Sequence, residues 1–229
     1  MTSPLSGCDA VLRYNGVSVA LPRLQGPLFA PLHFELRPGD LVVLSAASGK
    51  GKSPALRAAI GAQPRTSGEV VCLGETVSNL SPQALLALRR RVGFVPLTGG
   101  LLSNLNLHDN LTLLWRYHDA ATRAQIEERA REVCEQLGIG DLRGRGLATA
   151  NHHERHLIAI GRAWLPHPAL LILDEPDFGL DDDAAATLWS RLAALRSRHG
   201  AAMLAASSRP SLALRSGGTH LPLQHDEAA

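Results

Sequence analysis

Two short stretches carry the most legible chemistry in this chain: Gly49-Lys50-Gly51-Lys52-Ser53 and the consecutive acids Asp174-Glu175. Both lysines of the chain lie in the first stretch, while the rest of its 23 basic residues are arginine. A compact ammonium on a flexible stem, kept only at a glycine-rich turn, suits the gripping of phosphates better than a planar guanidinium fork does. The run Leu41-Val42-Val43-Leu44 reads as a strand buried on both faces, and a helix is expected from Lys52 to about Gly61. Strand, glycine-bearing turn and helix together surround an anion with backbone N–H groups and a positive helix N-terminus. In such a loop Lys52 reaches the β- and γ-phosphates of a nucleotide, and the Ser53 hydroxyl holds Mg2+. Asp174 and Glu175 close a second apolar run, Leu170–Leu173, where open α/β sheets put their ligands. Asp174 would hold Mg2+ through its water shell, and Glu175 would orient or deprotonate an attacking water. An Asp-Glu-Pro at a strand end is often only a turn; paired with the loop it becomes specific.

The elements that must position these residues follow from pattern and punctuation. Short strands are expected over 11–19, 32–36, 69–73, 92–95 and 203–206, with a turn at Arg37-Pro38-Gly39-Asp40. Ser81-Pro82 opens a helix with a capping hydroxyl and a proline at the first helical position, running to about Arg91. Further helices are expected near 107–118, 122–137, 154–165 and 183–199. Ile126, Ala130, Val133 and Leu137 mark one buried face, and Gly138 and Gly200 stand at helix C-termini. Strands alternating with helices make a mostly parallel sheet flanked by helices, and the nearly all-helical stretch 81–165 is expected to form an inserted lobe.

The 229 residues, 45% of them apolar, suffice for one α/β domain or two small lobes sharing a core. A net charge of +2 gives no field for nucleic acid or an anionic membrane, and Arg89-Arg90-Arg91 reads as the solvated end of a helix. Cys8, Cys72 and Cys134 are odd in number and far apart, which suits a reducing compartment. The N-terminus lacks the charged start and apolar stretch of a secretory signal, and the longest apolar candidate, 157–173, is broken by Arg162, Pro166, His167 and Pro168. A cytosolic protein is expected, its membrane role borrowed from a partner. Without a signal, the glycosylation tripeptide Asn110-Leu111-Thr112 carries no weight. His152 and His156 are four apart, as helix metal ligands would be, but Glu154 is out of register for the zinc-protease pattern.

From about residue 11 to 210 the chain resembles the ATP-binding subunits of ATP-binding-cassette (ABC) transporters. The resemblance rests on Ser48–Ser53 as the Walker A loop, Leu170–Pro176 as Walker B and Gly179-Leu180-Asp181 as the D-loop. Arg91-Val92-Gly93-Phe94-Val95 is similar to the strand before the Q-loop, and Ala159-Ile160-Gly161-Arg162-Ala163 to the helix after the signature. Leu101–Tyr117 resembles members serving lipid or solvent-tolerance transport. The resemblance implies a P-loop NTPase core with a mostly parallel sheet, an N-terminal antiparallel β portion and an inserted helical lobe. One ABC domain would then fill 1–229, its core over 11–80 and 166–215, its lobe over 81–165, and a flexible tail over 216–229. It further implies ATP and Mg2+ as cofactors, with ATP contacts spread over Ala46, Ala47, Ser48, Gly49, Lys50, Gly51, Lys52, Ser53 and Pro54. Ser53 and Asp174 would hold the metal and Glu175 would be catalytic. The partners implied are a second ABC ATPase subunit and membrane-spanning permease subunits at the cytoplasmic face.

Several positions depart from the family's pattern. Ala46 replaces the loop's first glycine, and a positive φ there would cost alanine about 1 kcal/mol. Pro54 replaces a hydroxyl residue and removes a backbone donor. Leu97 stands for the Q-loop glutamine and Ser208 for the histidine that positions the γ-phosphate. Ala150-Asn151-His152-His153-Glu154 aligns with Leu-Ser-Gly-Gly-Gln and keeps none of it, and Glu154 there repels phosphate unless paired. No adenine-stacking aromatic stands near Ala20 or Leu21. Hydrolysis is therefore expected to be weak, with a heterodimer favoured over a homodimer. The alternatives are a nucleotide-binding regulatory subunit with little turnover and, disfavoured by Gly179-Leu180-Asp181, a small P-loop kinase.

Overall fold

The computed structural model describes residues 10–21, 26–63, 66–118, 121–142 and 144–224. Cys8 and residues 225–229 lie outside them. Apolar and polar residues alternate in β1 (Leu12–Val19), which pairs antiparallel with β2 (Leu32–Leu36) on one side and β4 (Thr66–Cys72) on the other. The two-residue β5 (Glu75–Thr76) completes this four-stranded antiparallel sheet.

The runs without alternation build a second, parallel sheet in the order β6-β7-β8-β3-β9, from β3 (Leu41–Ser45), β6 (Val92–Val95), β7 (Leu170–Asp174), β8 (Ala202–Ala206) and β9 (Thr219–Pro222). A strand buried on both faces serves two cores with its alternate side chains. Val42, Leu44, Leu170, Ile172 and Leu204 face the antiparallel sheet. Leu41, Val43, Leu171, Leu173 and Met203 face a helical layer. That layer consists of α3 (Leu107–His118), α4 (Arg123–Leu137), α5 (His152–Trp164) and α6 (Asp182–His199). Gly161 lets α3, α4 and α5 meet, since a Cβ there would lie 2.7 Å from Leu111 and 3.2 Å from Val133. Between the two sheets runs α1 (Lys52–Ala58), tied to β1 by a 2.7 Å bond from the Tyr14 hydroxyl to the Ala55 carbonyl. Helix α2 (Pro82–Arg90) has the expected Ser81 cap, bonded to the Ala84 N–H.

Two features differ from the sequence expectation. The tail expected from 216 is absent over the described residues. Thr219–Pro222 adds β9 to the free edge of β3, and Leu223 is buried with its N–H on the Ser45 carbonyl. A four-residue edge strand ending in proline gives almost no periodic signal, since proline is tolerated where no further strand pairs. Helix α7 (Pro210–Leu214) also went unread. β6, inside the stretch 81–165, is the other edge of the parallel sheet. The tripeptide 110–112 is no glycan acceptor in this fold. Asn110 is buried and folds 102–106 around itself, accepting from the Leu102 N–H and donating to three carbonyls.

Candidate functional site

Parallel register brings three strand ends together. Leu44 of β3 is level with Ala206 of β8, which is level with Asp174 of β7. The loop after β3 and the acids after β7 therefore flank the exit of β8, and residues 46–52, 174–175 and 207–208 converge. Gly51 (φ 87°) caps α1 in a left-handed conformation, its Cα hard against Phe29: a Cβ would sit 2.8 Å from that ring. No side chain caps α1 and no acid lies in its first turn, so its leading N–H groups keep their capacity for an external acceptor.

Lys52 is buried beneath this loop and folds back on it. Its ammonium donates to the carbonyls of Ala46 (2.6 Å) and Ala47 (3.3 Å) and pairs with Glu175 Oε1 at 3.0 Å. Glu175 adopts φ 53°, a left-handed geometry that costs a non-glycine residue on the order of 1 kcal/mol. Ser208 holds the acid there, with its hydroxyl 2.8 Å from Oε1 and its N–H 2.9 Å from Oε2. Asp174 is only 1% exposed, and burial raises its pKa above the usual carboxylate range. The neighbouring Ser53, Arg57 and Lys52 oppose this in part, but neither carboxylate oxygen gains a hydrogen bond of good geometry among the described residues. Two orphaned, buried carboxylate oxygens beside a hydroxyl form a donor set that fits a hard divalent cation.

Of the expected contact residues, Lys52, Asp174 and Glu175 meet directly or through the loop. Ala47, Ser48, Gly49 and Lys50 lie on its exposed rim, and Ser53 and Pro54 are half-buried. Ala46 is not among the residues with positive φ, so the strain expected there does not arise. Pro54 costs α1 no internal bond, because the first one runs from the Ala55 N–H to the Gly51 carbonyl.

The segment 150–154 is finished differently. Asn151 and Glu154 form a reciprocal capping box at the start of α5, and Arg145 pairs with Glu154 at 2.9 Å. The repulsion expected of Glu154 is thus met inside the chain. Arg145 and the Asn151 N–H together hold its carboxyl below the usual range. His156 is buried and donates Nε2–H to the Leu97 carbonyl at 3.1 Å, with burial lowering its pKa. It clips that loop to α5, and no cluster of three or more His, Cys, Asp or Glu side chains able to hold a metal ion occurs among the described residues. Arg162, further along α5, donates to the carbonyls of Gly99 and Gly100. Asp181 caps α6 through the Ala184 N–H.

Sequence reading missed three partners: Ser208 for Glu175, Arg145 for Glu154, and Ser207 for the buried Asp177, which also accepts from Trp189. The Ser207-Ser208 pair at the exit of a buried strand is the one signal that pointed to any of them.

Residues 29–177 match the family described as ABC transporter. Nod factor export ATP-binding protein I of Cupriavidus metallidurans is 32% identical over 166 residues, 72% of this chain and 53% of that protein. Hypophosphite import ATP-binding protein HtxD of Stutzerimonas stutzeri is 30% identical over 193 residues, 81% of this chain and 57% of that protein. The chain spans about half the length of these relatives. Among solved structures, the dimeric bacterial ABC transporter cassette MJ0796 superposes with a TM-score of 0.84 over 93% of this chain and 94% of that one, at 20% identity, a likeness of fold. No helix of the described residues is long and apolar enough to cross a membrane. A lysine-bearing loop and a strand-end acid pair on this sheet, with a family match over most of the chain, identify the protein as a member of the ABC transporter ATP-binding family.

Proposed function

We propose that this chain is an ABC transporter subunit that binds Mg-ATP on the loop 46–54 and hydrolyses it weakly to power transport through membrane-spanning partners. The observation that carries the reading is the convergence of Lys52, Asp174 and Glu175 at the open N-terminus of α1. In this reading the N–H groups of the loop and of α1 receive the phosphates, and Lys52 exchanges Glu175 for β- and γ-phosphate oxygens. Ser53 and Asp174 hold Mg2+, which neutralises phosphate charge when bound. Glu175 orients the attacking water and accepts its proton.

The departures set the pace. Leu97 presents an apolar side chain where an amide is usual, and Ser208 gives no imidazole. Segment 150–154 uses part of its helix-end donor capacity on its own capping box and has that much less to offer across a dimer. A second, intact ABC ATPase subunit would supply the missing segment to the site built on Lys52, which favours a heterodimer. Leu86, Leu97, Leu102 and Leu114 are large apolar residues left exposed between 86 and 114, a surface suited to a permease at the cytoplasmic face. The alternative, a regulatory subunit that holds ATP with little turnover, draws support from the clamping of both Glu175 oxygens.

In a fluorescent-ATP titration with Mg2+, Lys52→Ala is expected to lower affinity about 10- to 100-fold, as loss of a charged hydrogen-bond donor does. Unchanged affinity overturns the reading. Turnover of the co-expressed pair that disappears with Glu175→Gln favours hydrolysis; turnover indifferent to it, with ATP still bound, favours the regulatory alternative.

A further inference from the structure

Glu175 has a gripping partner that no motif assigns. Its Oε1 receives the Ser208 hydroxyl at 2.8 Å and the Lys52 ammonium at 3.0 Å, while its Oε2 receives the Ser208 N–H at 2.9 Å. The left-handed turn at Glu175 directs the carboxylate across to the end of β8, where Ser208 stands. The ammonium has three protons, and Ala46, Ala47 and Glu175 accept them, with the Ser208 oxygen a fourth neighbour at 3.4 Å. Both side chains are at least nine-tenths buried, so water screens the pair weakly.

We propose that Ser208 is a positioning residue that latches Glu175 onto Lys52, so that the carboxylate competes with nucleotide phosphate for the ammonium. The proposal rests on the nucleotide-binding reading above. A phosphate that takes the ammonium displaces only one of the three bonds on Glu175. The two from Ser208 remain and keep the acid at the mouth of the loop. A pair that must open before phosphate engages lowers apparent affinity by the fraction of molecules in which it is open. Loosening the latch therefore tightens nucleotide binding, a sign opposite to that of ordinary damage near a site.

The probe is a fluorescent ADP analogue without magnesium, titrated into the full chain. Ser208→Ala is expected to tighten binding about 3- to 10-fold, the size of one ordinary lost hydrogen bond, since the Ser208 N–H still holds the other carboxylate oxygen. Ser208→Thr, which keeps the hydroxyl, is expected to stay within about twofold of the parent. In a Glu175→Gln background Ser208→Ala adds nothing, because the ion pair it supports is already gone. Ser208→Gly serves as a second hydroxyl-free variant should Ser208→Ala fold poorly. Unchanged or weaker binding by the hydroxyl-free variants, a threonine variant that behaves like them, or an equal gain in the Glu175→Gln background overturns the latch. A parent chain that binds no nucleotide removes the underlying reading as well, whereas binding without any Ser208 effect removes the latch alone.

Discussion

Helices α1 and α5 begin with opposite finishes. At α1 a left-handed glycine makes the turn, no side chain returns to the backbone, and the first turn carries no acid. At α5 an asparagine and a glutamate exchange bonds with each other's N–H groups, and an arginine neutralises the glutamate. A helix start presents N–H donors that the helix itself cannot use. One left open by its own side chains keeps them for an external anion; one sealed by them has already used part of its capacity. The contrast separates a helix end that keeps its donors from one that has used part of them, within one chain and without reference to a relative.

The comparison breaks most sharply at Gly51. Gly51→Ala forces a side chain into φ 87° and into Phe29, and is expected to cost about 1–3 kcal/mol in denaturant unfolding and to abolish nucleotide binding. An unchanged unfolding midpoint would mean that the open end of α1 does not depend on that glycine. Asp174→Asn comes next. Mg2+ is expected to raise ATP affinity in the parent and to leave it unaltered in the variant, as a titration with and without the metal would read. The same variant carries a pH signature. Burial raises the Asp174 pKa, so the parent has its full stability below the unfolded value of about 3.9 and loses some as pH rises through the raised folded value. Metal-free Asp174→Asn is accordingly more stable than the parent at pH 7 and level with it in acid; a variant less stable at neutral pH contradicts this.

The smallest effect lies at the sealed end. Glu154→Gln is expected to lower stability by up to about 1 kcal/mol at pH 7. The Glu154 pKa is depressed, so its contribution is present above the unfolded value of about 4.3 and fades as pH falls below it. A loss that persists at low pH would point to packing rather than to the Arg145 pair.

The parts of the site that sequence revealed are those close along the chain. The turn from Gly49 to Ser53 declares itself by composition, and the acids after Leu170–Leu173 by the apolar run they close. The two cores are legible in strands with no polar face. The grip on Glu175 was not, because Ser208 is distant in sequence and becomes a neighbour only when β8 inserts between β3 and β7. Sequence counted Ser208 as a missing histidine, and what it does instead depends on that strand order. Ala46 was expected to be strained by analogy with glycine, yet its backbone stays out of the left-handed region while its carbonyl takes the Lys52 ammonium. The pairing of Arg145 with Glu154 likewise needs the turn between them, which no periodicity encodes.

The stretch following β6 is riveted to α5 twice, by His156 at Leu97 and by Arg162 at Gly99 and Gly100. A few residues onward, Asn110 rivets 102–106 to α3 instead. The first stretch is therefore held by one helix and the second by another, with Leu101, packed on the core of the helical layer, at the seam where the two anchorages meet.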